Sequence, residues 1–280
     1  ARKTWDYIIV GGGSAGCVLA NRLSEDPATQ VLMLEAGPMD RRLDFRLHMP
    51  AALTHSLTNR TYNWWYESGP EPHLDGRRVY QPRGKVLGGS STINGMIFIR
   101  GNRSDFDGWA QESGMESWGY RHVLPYFKRM ETRLVGGDAY RGDAGPLKLT
   151  TPACDNPLFG AFFQAVQEAG YPLTQDVNGA HQEGFGPFDR TTFRGRRYSA
   201  ARAYLHPVLE RRNLQVQTGV MVERIVFEGD RAVGVQVRRG RRSEVIYAGE
   251  IVCCGGAINS PQLLLLSGIG PADHLRETGI

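Results

Sequence analysis

The sequence predicts an α/β fold built on a parallel sheet, and two segments with the same order of elements support this prediction. Residues 6–10 (DYIIV) form an apolar run that is followed by the turn GGGSAG, a helical pattern and a second apolar run at 30–37. A strand, a glycine-rich turn, a helix and a strand in this order open a doubly wound sheet. Residues 250–268 (EIVCCGGAINSPQLLLLSG) repeat the strand, the glycine pair and the helix, which predicts a return to the same sheet.

The elements between these two segments are predicted in order along the chain. An irregular stretch rich in Pro, Trp and Tyr runs from 38 to about 80, as expected of a long excursion over a ligand site. Amphipathic patterns predict two short helices within 105–131 and one helix at 156–170. A further helical pattern is interrupted by Pro207, and hairpin-forming strands fill 214–253.

The composition is that of a globular protein with room for one large domain or two ordinary ones. The 280 residues are 41% hydrophobic and 22% charged, and their 35 glycines indicate tight turns and close approaches of the backbone to a ligand. The net charge of +4 suits an anionic ligand. The densest basic run, RRGRR at 238–242, lies between strand-like segments without interleaved aromatics, so we predict a hairpin turn there and no nucleic-acid partner.

The spacing of the cysteines argues against a zinc site, and the lengths of the apolar runs argue against a transmembrane segment. The four cysteines, Cys17, Cys154, Cys253 and Cys254, show no spacing typical of zinc, so no metal site is predicted and the thiols are expected to be buried and reduced. Reduced thiols favour a reducing compartment such as the cytoplasm. The sequence contains no run of about 18 apolar residues, so no transmembrane segment is predicted.

The first glycine motif indicates a dinucleotide held at a helix N-terminus. Gly11, Gly13 and Gly16 form GxGxxG after a strand: the first permits a tight turn, the second lets a pyrophosphate approach the backbone, and the third allows close helix packing. Glu35 ends the next strand, where its carboxylate can accept hydrogen bonds from both hydroxyls of an adenosine ribose. A carboxylate there would repel the 2′-phosphate of NADP, which leaves FAD or NAD. The predicted contacts of this motif are Gly11, Gly13, Ser14, Ala15, Gly16, Glu35 and Ala36.

A second glycine-rich motif precedes a buried apolar run and favours one of these two cofactors. Residues 82–101 read PRGKVLGGSSTINGMIFIRG, with basic residues before Gly88 and Gly89 and with Ser91 and Asn94 after them. Consecutive amides beside glycines can form an anion nest against a flat or phosphorylated ligand. One βαβ unit already seats the pyrophosphate of NAD, whereas FAD also carries an isoalloxazine ring, so this motif favours FAD. The alternative is a polar turn before a core strand, capped by Ser91 or Asn94.

Three separated motifs resemble those of the glucose–methanol–choline (GMC) flavin oxidoreductases, in the same order along the chain. DYIIVGGGSAG is similar to the dinucleotide motif, and PRGKVLGGSSTINGMIFIRG resembles the first signature of the family. GGAINSPQLLLLSGIG at 255–270 resembles the second signature, in which a helix begins at the Ser260-Pro261 turn. Similarity extends over nearly the whole chain, and segments such as DFRLHMPAAL and GYPLTQDVNG resemble the choline dehydrogenase branch.

The resemblance implies further contacts to FAD. Val222 would bond the adenine through its main chain, and Gly255 with Ala257 would close over the cofactor. Certain oxidases of the family have a histidine, covalently bonded to the flavin, where this chain has Ile93, so we predict FAD that is tightly but not covalently bound. The pyrophosphate and the isoalloxazine would be lined by Arg83, Gly84, Gly88, Gly89, Ser91, Asn94, Gly95 and Met96.

The resemblance also implies the domain organisation. A Rossmann-like FAD-binding domain is expected at 1–150 and again at 213–280, with an inserted and incomplete α+β substrate-binding portion at 151–212. GMC enzymes place a catalytic histidine, with a second His or Asn, near the end of a chain about twice as long. The seven histidines of this sequence match no such motif, so the chain is expected to be an N-terminal portion whose catalytic residues lie beyond Ile280.

The activity implied is FAD-dependent oxidation of a primary alcohol, with choline giving betaine aldehyde in the synthesis of glycine betaine. Hydride would pass to the flavin N5 and electrons onward to a quinone or another non-oxygen acceptor, in a protein that is cytoplasmic or attached peripherally to the inner membrane. Trp64 or Trp65 would contribute to an aromatic cage for the quaternary ammonium, or would instead cover the flavin or fill the core. Two alternatives keep the fold: oxidation of another aliphatic or polyol alcohol, and a redox-silent lyase with structural FAD.

Overall fold

The computed structural model describes residues 4–280, which divide into two compact units. The first unit combines the residues up to Asn94 with Ser199–Ile280, and the second is Gly95–Tyr198. These bounds differ from the expected domain bounds, which fall after residues 150 and 212. The apolar run after Asn94 continues a cofactor motif in the sequence, so no local pattern marks the point at which the chain leaves the first unit. The substrate-binding role of 151–212 stays a prediction.

Strands and helices are numbered in chain order. The strands are β1 (Thr4–Val10), β2 (Val31–Glu35), β3 (Tyr66–Glu67), β4 (Tyr80–Gln81), β5 (Glu131–Arg133), β6 (Leu147–Leu149), β7 (Thr192–Phe193), β8 (Arg196–Arg197), β9 (Leu214–Thr218), β10 (Met221–Glu228), β11 (Arg231–Arg239) and β12 (Arg242–Cys253). The α-helices are α1 (Ser14–Leu23), α2 (Phe45–His48), α3 (Leu53–Leu57), α4 (Arg103–Trp109), α5 (Tyr120–Met130), α6 (Pro157–Glu168), α7 (Gly256–Leu266) and α8 (Ala272–Thr278). None of these helices is long and apolar enough to cross a membrane.

A six-stranded sheet forms the centre of the first unit, in the order β10-β11-β12-β1-β2-β9. Neighbouring strands from β12 to β9 are parallel, whereas β10, β11 and β12 pair antiparallel. Every residue of β2 is buried, as expected for a parallel strand that is covered on both faces. The predicted α/β class and the parallel sheet are therefore confirmed.

One hydrophobic core holds the early and late parts of the first unit together. Ile8 of β1 and Leu32 of β2 are fully buried and belong to one cluster with Val235 and Val237 of β11 and Leu263 of α7. Complete burial of a side chain of this size contributes roughly 1.5–3 kcal/mol. The hairpin strands that follow residue 214 are thus fixed to the first βαβ unit by packing as well as by strand pairing.

β1 and β12 end at the same edge of the sheet, which brings the two glycine-rich turns together. Val10 pairs with Cys253, and these are the last residues of the two strands. Gly11 follows β1 in the turn to α1, while Gly255 precedes α7 on the neighbouring strand. The repeated strand, glycine and helix of the sequence therefore form adjacent parts of one sheet edge.

Two helical segments contain a proline, and only one of them follows the pattern that the sequence predicts. α7 begins at Gly256, so the expected start at the Ser260-Pro261 turn is wrong, and Pro261 lies inside the helix. Pro261 has no N–H group, so the carbonyl of Ala257 in the first turn loses its hydrogen-bond donor. The leucines that follow Pro261 continue the helix. The segment around Pro207 forms a π-helical turn at Ala201–Leu205 and a 3-10 turn, which agrees with an interrupted helix.

The second unit contains α4, α5 and α6 together with the short strand pairs β5–β6 and β7–β8. α4 and α5 correspond to the two short helices predicted within 105–131, and α6 corresponds to the helix predicted at 156–170. The second unit also contains an ion network around Arg141, whose side chain is fully buried. Arg141 contacts Glu131 at 2.8 Å, Asp176 at 2.7 Å and Asp189 at 2.6 Å.

Candidate functional site

A cleft of about 990 Å³ opens within the first unit at the carboxyl ends of β1, β2 and β12. This edge is where open α/β sheets bind their ligands. The lining comes from the ends of β1, β2 and β12, the turn before α1, the aromatic segment around Trp64 and the turn at Gly89. The start of β10, one residue of β11 and residues along α7 complete it. Sequence-distant motifs are thus brought together in one place.

The turn between β1 and α1 depends on glycine at two positions. Gly11 has a φ of +105°, and a Cβ added to it would lie 2.5 Å from the carbonyl oxygen of Cys254. A Cβ on Gly16 would lie 2.0 Å from the carbonyl oxygen of Gly11. α1 begins at Ser14, and the first N–H groups of a helix lack acceptors within it and attract anions. The turn is therefore shaped to hold a pyrophosphate.

Glu35 ends β2 at the floor of the cleft and is only 6% exposed. Its Oε2 accepts a hydrogen bond from the Gly12 N–H at 2.7 Å, and its Oε1 accepts one from the Gly37 N–H at 2.7 Å. Burial raises the pKa of this carboxyl, against the opposing effect of the two N–H donors and of Lys85. Each carboxylate oxygen can accept a further hydrogen bond, which suits the hydroxyls of a ribose.

The second glycine motif lies directly against the first. The Gly88 N–H donates to the carbonyl oxygen of Gly12 at 2.7 Å. Gly89 has a φ of +56°, and a Cβ on it would lie 2.8 Å from the Cα of Gly13. A Cβ on Gly84 would lie 2.3 Å from the carbonyl carbon of Gly89. The two motifs therefore form one continuous backbone surface beside the cleft.

Trp64 and Tyr66 supply an aromatic wall to the same cleft. Their rings are stacked, with centroids 6.0 Å apart and planes inclined by 5°. The Tyr66 hydroxyl donates to Oδ1 of Asn259 on α7 at 3.1 Å, and Nζ of Lys85 lies 4.8 Å from the centroid of the Trp64 ring. The wall is thus tied to the second signature on one side and to a basic side chain on the other.

The far end of the cleft is formed by β10 and β11. The Val220 N–H donates to the carbonyl oxygen of Glu35 at 2.9 Å, so β10 begins beside the end of β2. Val222 and Glu223 of β10 line the cleft together with Arg238 of β11. The Arg238 Nε donates to Oε1 of Glu223 at 2.6 Å.

Cysteines also line the cleft, but as neutral groups. Burial raises the pKa of Cys254 to about 11 and also raises that of Cys253. All four cysteines are free, as predicted, yet only Cys17 is fully buried and the other three are half-buried, so the expectation of burial is wrong for those three. Within residues 4–280 no cluster of His, Cys, Asp and Glu is arranged to hold a metal ion.

Most of the predicted contact residues lie in the cleft lining, and the remainder lie elsewhere. The lining contains Gly11, Gly13, Ser14, Ala15, Glu35, Ala36, Trp64, Arg83, Gly84, Gly89, Val222, Gly255 and Ala257. Gly16, Trp65, Gly88, Ser91 and Asn94 belong to the same unit outside that lining, and Gly95 and Met96 belong to the second unit. Lining a cleft does not test contact with a ligand, so contact with the cofactor, or with the substrate for Trp64 and Trp65, stays a prediction for all of these residues.

The residues outside the lining have roles within the first unit. The Ser91 hydroxyl donates to the carbonyl of Gly88 at 2.6 Å and accepts from the Ala200 N–H at 2.9 Å, which holds the glycine turn in place. Trp65 contacts the ring of Tyr80, with centroids 4.8 Å apart, and carries the guanidinium of Arg60 4.8 Å from its own ring centroid. Asn94 is exposed.

Several lining residues escape prediction from the sequence. Tyr66 follows the candidate residues Trp64 and Trp65, and Asn259 lies inside the second signature, so their positions are a usable signal. Gly37 follows Glu35 and Ala36 but lies outside the lining, and a Cβ on it would lie 2.0 Å from the Lys85 carbonyl oxygen. Glu223 and Arg238 carry no local signal, because their approach depends on strand register. The further lining residues are Val10, Leu34, Ser90, Val220, Met221, Cys253, Cys254, Gly256, Ile258, Ser260, Gln262, Leu263 and Leu266.

The sequence matches the GMC oxidoreductase family over residues 5–279. The chain belongs to this family. Among curated GMC relatives it is 56% identical to the oxygen-dependent choline dehydrogenase of Staphylococcus xylosus, over 100% of this chain and 50% of that protein. The chain therefore spans about half the length of the curated relatives it matches.

Solved structures of GMC-like proteins have the same fold. Pyridoxine 4-oxidase from Mesorbium loti superposes with a TM-score of 0.94 at 39% identity, covering 99% of this chain and 54% of that one. An FAD-dependent oxidoreductase from Chaetomium thermophilum superposes with a TM-score of 0.90 at 32% identity, covering 99% of this chain and 50% of that one.

FAD is the cofactor of the GMC family, and the cleft fits it. The glycines at positions 11, 84 and 89 let the backbone segments around the cleft pack more closely than a Cβ would allow, and Glu35 offers carboxylate oxygens to the cleft. The predicted cofactor is confirmed, whereas its non-covalent attachment stays a prediction. Ile93, at the position of the flavin-bonding histidine of some GMC oxidases, is 2% exposed and belongs to an apolar cluster with Leu47, Tyr62 and Val86.

Proposed function

We propose that the protein oxidises choline at its alcohol carbon, with FAD as the oxidant, to give betaine aldehyde for the synthesis of glycine betaine. The 56% identity with a choline dehydrogenase across the whole of this chain is the observation that carries the proposal. The cleft supports it, because two glycine motifs and an aromatic wall surround space for a flavin dinucleotide. Since the chain spans half of its relatives, the activity is proposed for the whole protein.

The residues of this chain bind and orient the cofactor. The N–H groups at the start of α1 hold the pyrophosphate, and Glu35 accepts hydrogen bonds from the ribose hydroxyls. Trp64 and Tyr66 line the cleft, where their rings would keep water from the bound cofactor. When bound, FAD supplies an acceptor for the two electrons that leave the alcohol as it becomes an aldehyde.

The base that takes the hydroxyl proton is assigned to the part of the protein that this chain does not include. Histidine is the side chain most often used for this task, because its ordinary pKa lies near neutral pH. No histidine is present in the lining of the cleft within the described residues 4–280. The second step from betaine aldehyde to glycine betaine would use the same site.

The proposal has two versions, which differ in the electron acceptor that reoxidises the flavin. The prediction from the sequence is a quinone or another non-oxygen acceptor at a membrane surface. The relatives from Staphylococcus are named oxygen-dependent, which favours molecular oxygen instead. Measurement of hydrogen peroxide during aerobic turnover, beside reduction of a soluble quinone under argon, distinguishes the two acceptors.

Anaerobic reduction of the bound flavin tests the substrate. Choline is expected to bleach the flavin absorbance of the whole protein faster than hexanol or sorbitol at equal concentration. Faster bleaching by hexanol or sorbitol would replace choline with an aliphatic or polyol alcohol. If no alcohol reduces the flavin while dithionite does, the redox-silent lyase becomes the better description of the protein.

A further inference from the structure

We propose that Arg238, held by Glu223, forms the outer wall of the adenine subsite and stacks its guanidinium on the purine of FAD. The inference deepens the proposed function and rests on it through the identity of the cofactor. Neither side chain belongs to a glycine motif or to a family signature of the sequence. Both line the cleft.

The position of the purine follows from the residues that hold the rest of the dinucleotide. With the pyrophosphate at the start of α1 and the ribose at Glu35, the base has to continue past the end of β2. The Val220 N–H donates to the Glu35 carbonyl at 2.9 Å, and the Gly219 N–H donates to the Gly37 carbonyl at 2.9 Å. These two bonds place the start of β10 beside Glu35, so the purine lies over Met221–Glu223.

Strand register brings Arg238 to this position. Arg238 pairs with Met221 across β10 and β11, directly at the start of β10. On β11 the apolar Val235 and Val237 point into the core, whereas Arg238 is exposed on the other side of the strand. The guanidinium therefore borders the part of the cleft where the base lies, and it does not belong to the core.

A β-bulge aims Glu223 at Arg238. Val222 pairs with Val237, and the next pair joins Arg224 to Gln236, so Glu223 is the extra residue on β10. Bulges redirect a side chain and are frequent beside functional sites. The resulting ion pair has side-chain exposures of 48% for Arg238 and 30% for Glu223. Solvent screens so exposed a pair, so it contributes little to the free energy of folding, and its 2.6 Å contact directs the guanidinium toward the side of β10 on which Glu223 lies.

The chemistry of the two partners suits stacking. A guanidinium is planar and weakly hydrated, so it lies readily against an aromatic face, whereas an ammonium is a compact and strongly hydrated charge. The purine of adenine offers such a face and carries no charge that would require a specific counterion. Arg238 also brings a positive charge to a site that binds a pyrophosphate. Glu223 acts as a positioning residue for Arg238.

Binding of FAD and of ADP to the cofactor-free protein tests this proposal, with the whole protein produced in a riboflavin-starved host. Calorimetry is expected to show affinity for both ligands about 5–20-fold weaker in Arg238→Ala, and nearly as weak in Arg238→Lys, which keeps the charge but not the plane. Glu223→Gln is expected to weaken ADP binding about 2–4-fold, and to have no effect when Arg238 is already alanine.

Arg239→Ala is the matched control, because Arg239 is the next residue of β11, lies outside the cleft lining and contacts Gln217 and Glu244. It is expected to bind ADP as the unchanged protein does.

Three results would each overturn the stacking role. They are unchanged affinity in Arg238→Ala, equal losses of affinity in Arg238→Ala and Arg239→Ala, and full affinity in Arg238→Lys. If choline does not reduce the bound flavin, the proposed function is wrong. The measurement of ADP binding still decides the role of Arg238 in that case.

Discussion

A Cβ atom on Gly89 would lie 2.8 Å from the Cα of Gly13, so the two glycine motifs touch beside the cofactor cleft. Their contact is reinforced by the hydrogen bond from the Gly88 N–H to the Gly12 carbonyl, at 2.7 Å. The first motif belongs to the βαβ unit, whereas the second returns from the irregular excursion after β2. Each motif therefore fixes the position of the other, and the cleft depends on both.

Gly89→Ala is expected to weaken FAD binding at least tenfold and to destabilise the fold by about 1–3 kcal/mol. The new methyl group would collide with Gly13, and an alanine at a φ of +56° is strained. Flavin absorbance per protein and urea denaturation measure the two effects. Gly69→Ala is the control, because a Cβ there meets no atom within 4 Å and its φ is not positive. Equal flavin content in the two variants would contradict the contact.

The parallel sheet and the return of β12 to it were predictable because local patterns carry them. The apolar runs at β1, β2 and β12 are bounded by glycines, and glycine is needed at Gly11 because a Cβ would meet the backbone of Cys254 at 2.5 Å. The start of α7 was not predictable. Pro261 looks like the first residue of a helix, yet a helix tolerates a proline near its beginning when the lost hydrogen bond belongs to its first turn.

The residues of the candidate site were predictable where they belong to a sequence motif. They were not predictable where the pairing register of two strands brings them to the cleft. Glu35 was found from its place at a strand end, and the structure adds that the N–H groups of Gly12 and Gly37 already hold its carboxylate. Glu223 was missed because only a bulge in the pairing with β11 brings it to Arg238. No spacing in a single sequence reveals such a bulge.

Asp44→Asn is expected to lower the free energy of unfolding by about 1–2 kcal/mol near pH 7. Arg46 and the Tyr62 hydroxyl lower the pKa of Asp44 from 3.8 to about 2, so ionised Asp44 stabilises the folded state. This contribution is present above the ordinary pKa and is lost as the pH falls from about 4 to about 2. Urea denaturation across this range is expected to show the two proteins converging.

The exposed pair Arg22–Glu25, at 2.6 Å, provides the control for Asp44. Glu25→Gln is expected to change stability by less than about 0.5 kcal/mol at any of these pH values, because solvent screens the pair. A difference between Asp44→Asn and the unchanged protein that stays constant down to the lowest pH would contradict the role of the ionised carboxylate.

Arg141→Met is expected to destabilise the second unit by about 3–5 kcal/mol, because it leaves the three carboxylates around Arg141 with only Arg100 and Arg133 as counterions. The guanidinium contacts Glu131, Asp176 and Asp189 at 2.6–2.8 Å and is fully buried. Urea denaturation and limited proteolysis within Gly95–Tyr198 measure the loss. Arg276→Met is the control, since its pair with Asp273 has side chains 74% and 93% exposed, and it is expected to change little. Similar losses in both variants would rule out the network as the cause.

Acid precipitation is expected to release the flavin into the supernatant, because Ile93 offers no nucleophile to the cofactor. Ile93 is 2% exposed and is packed in the apolar cluster with Leu47, Tyr62 and Val86. Absorbance near 450 nm, read in the supernatant and in the washed pellet, measures the distribution. Yellow colour retained by the pellet after denaturation would show a covalent bond elsewhere in the protein.

Replacement of the two adjacent tryptophans is expected to have different effects on the flavin. Trp64 lines the cleft beside Tyr66, so Trp64→Phe is expected to change the visible circular dichroism of the bound flavin and to weaken FAD binding a few-fold. Trp65 lies outside the lining against Tyr80, so Trp65→Phe is expected to leave that spectrum unchanged. Each indole already has a basic side chain 4.8 Å from its ring centroid, Lys85 at Trp64 and Arg60 at Trp65.

These basic neighbours sharpen the test of an aromatic cage for choline. A quaternary ammonium placed on the same indole face would meet a like charge, which opposes its binding. If Trp64 alone contacts the substrate, Trp64→Phe raises the KM for choline and Trp65→Phe does not, with kcat measured at saturating acceptor. A larger KM increase in Trp65→Phe would instead place the cage on the side of Tyr80, outside the cleft described above, and would require Arg60 to move away from the indole.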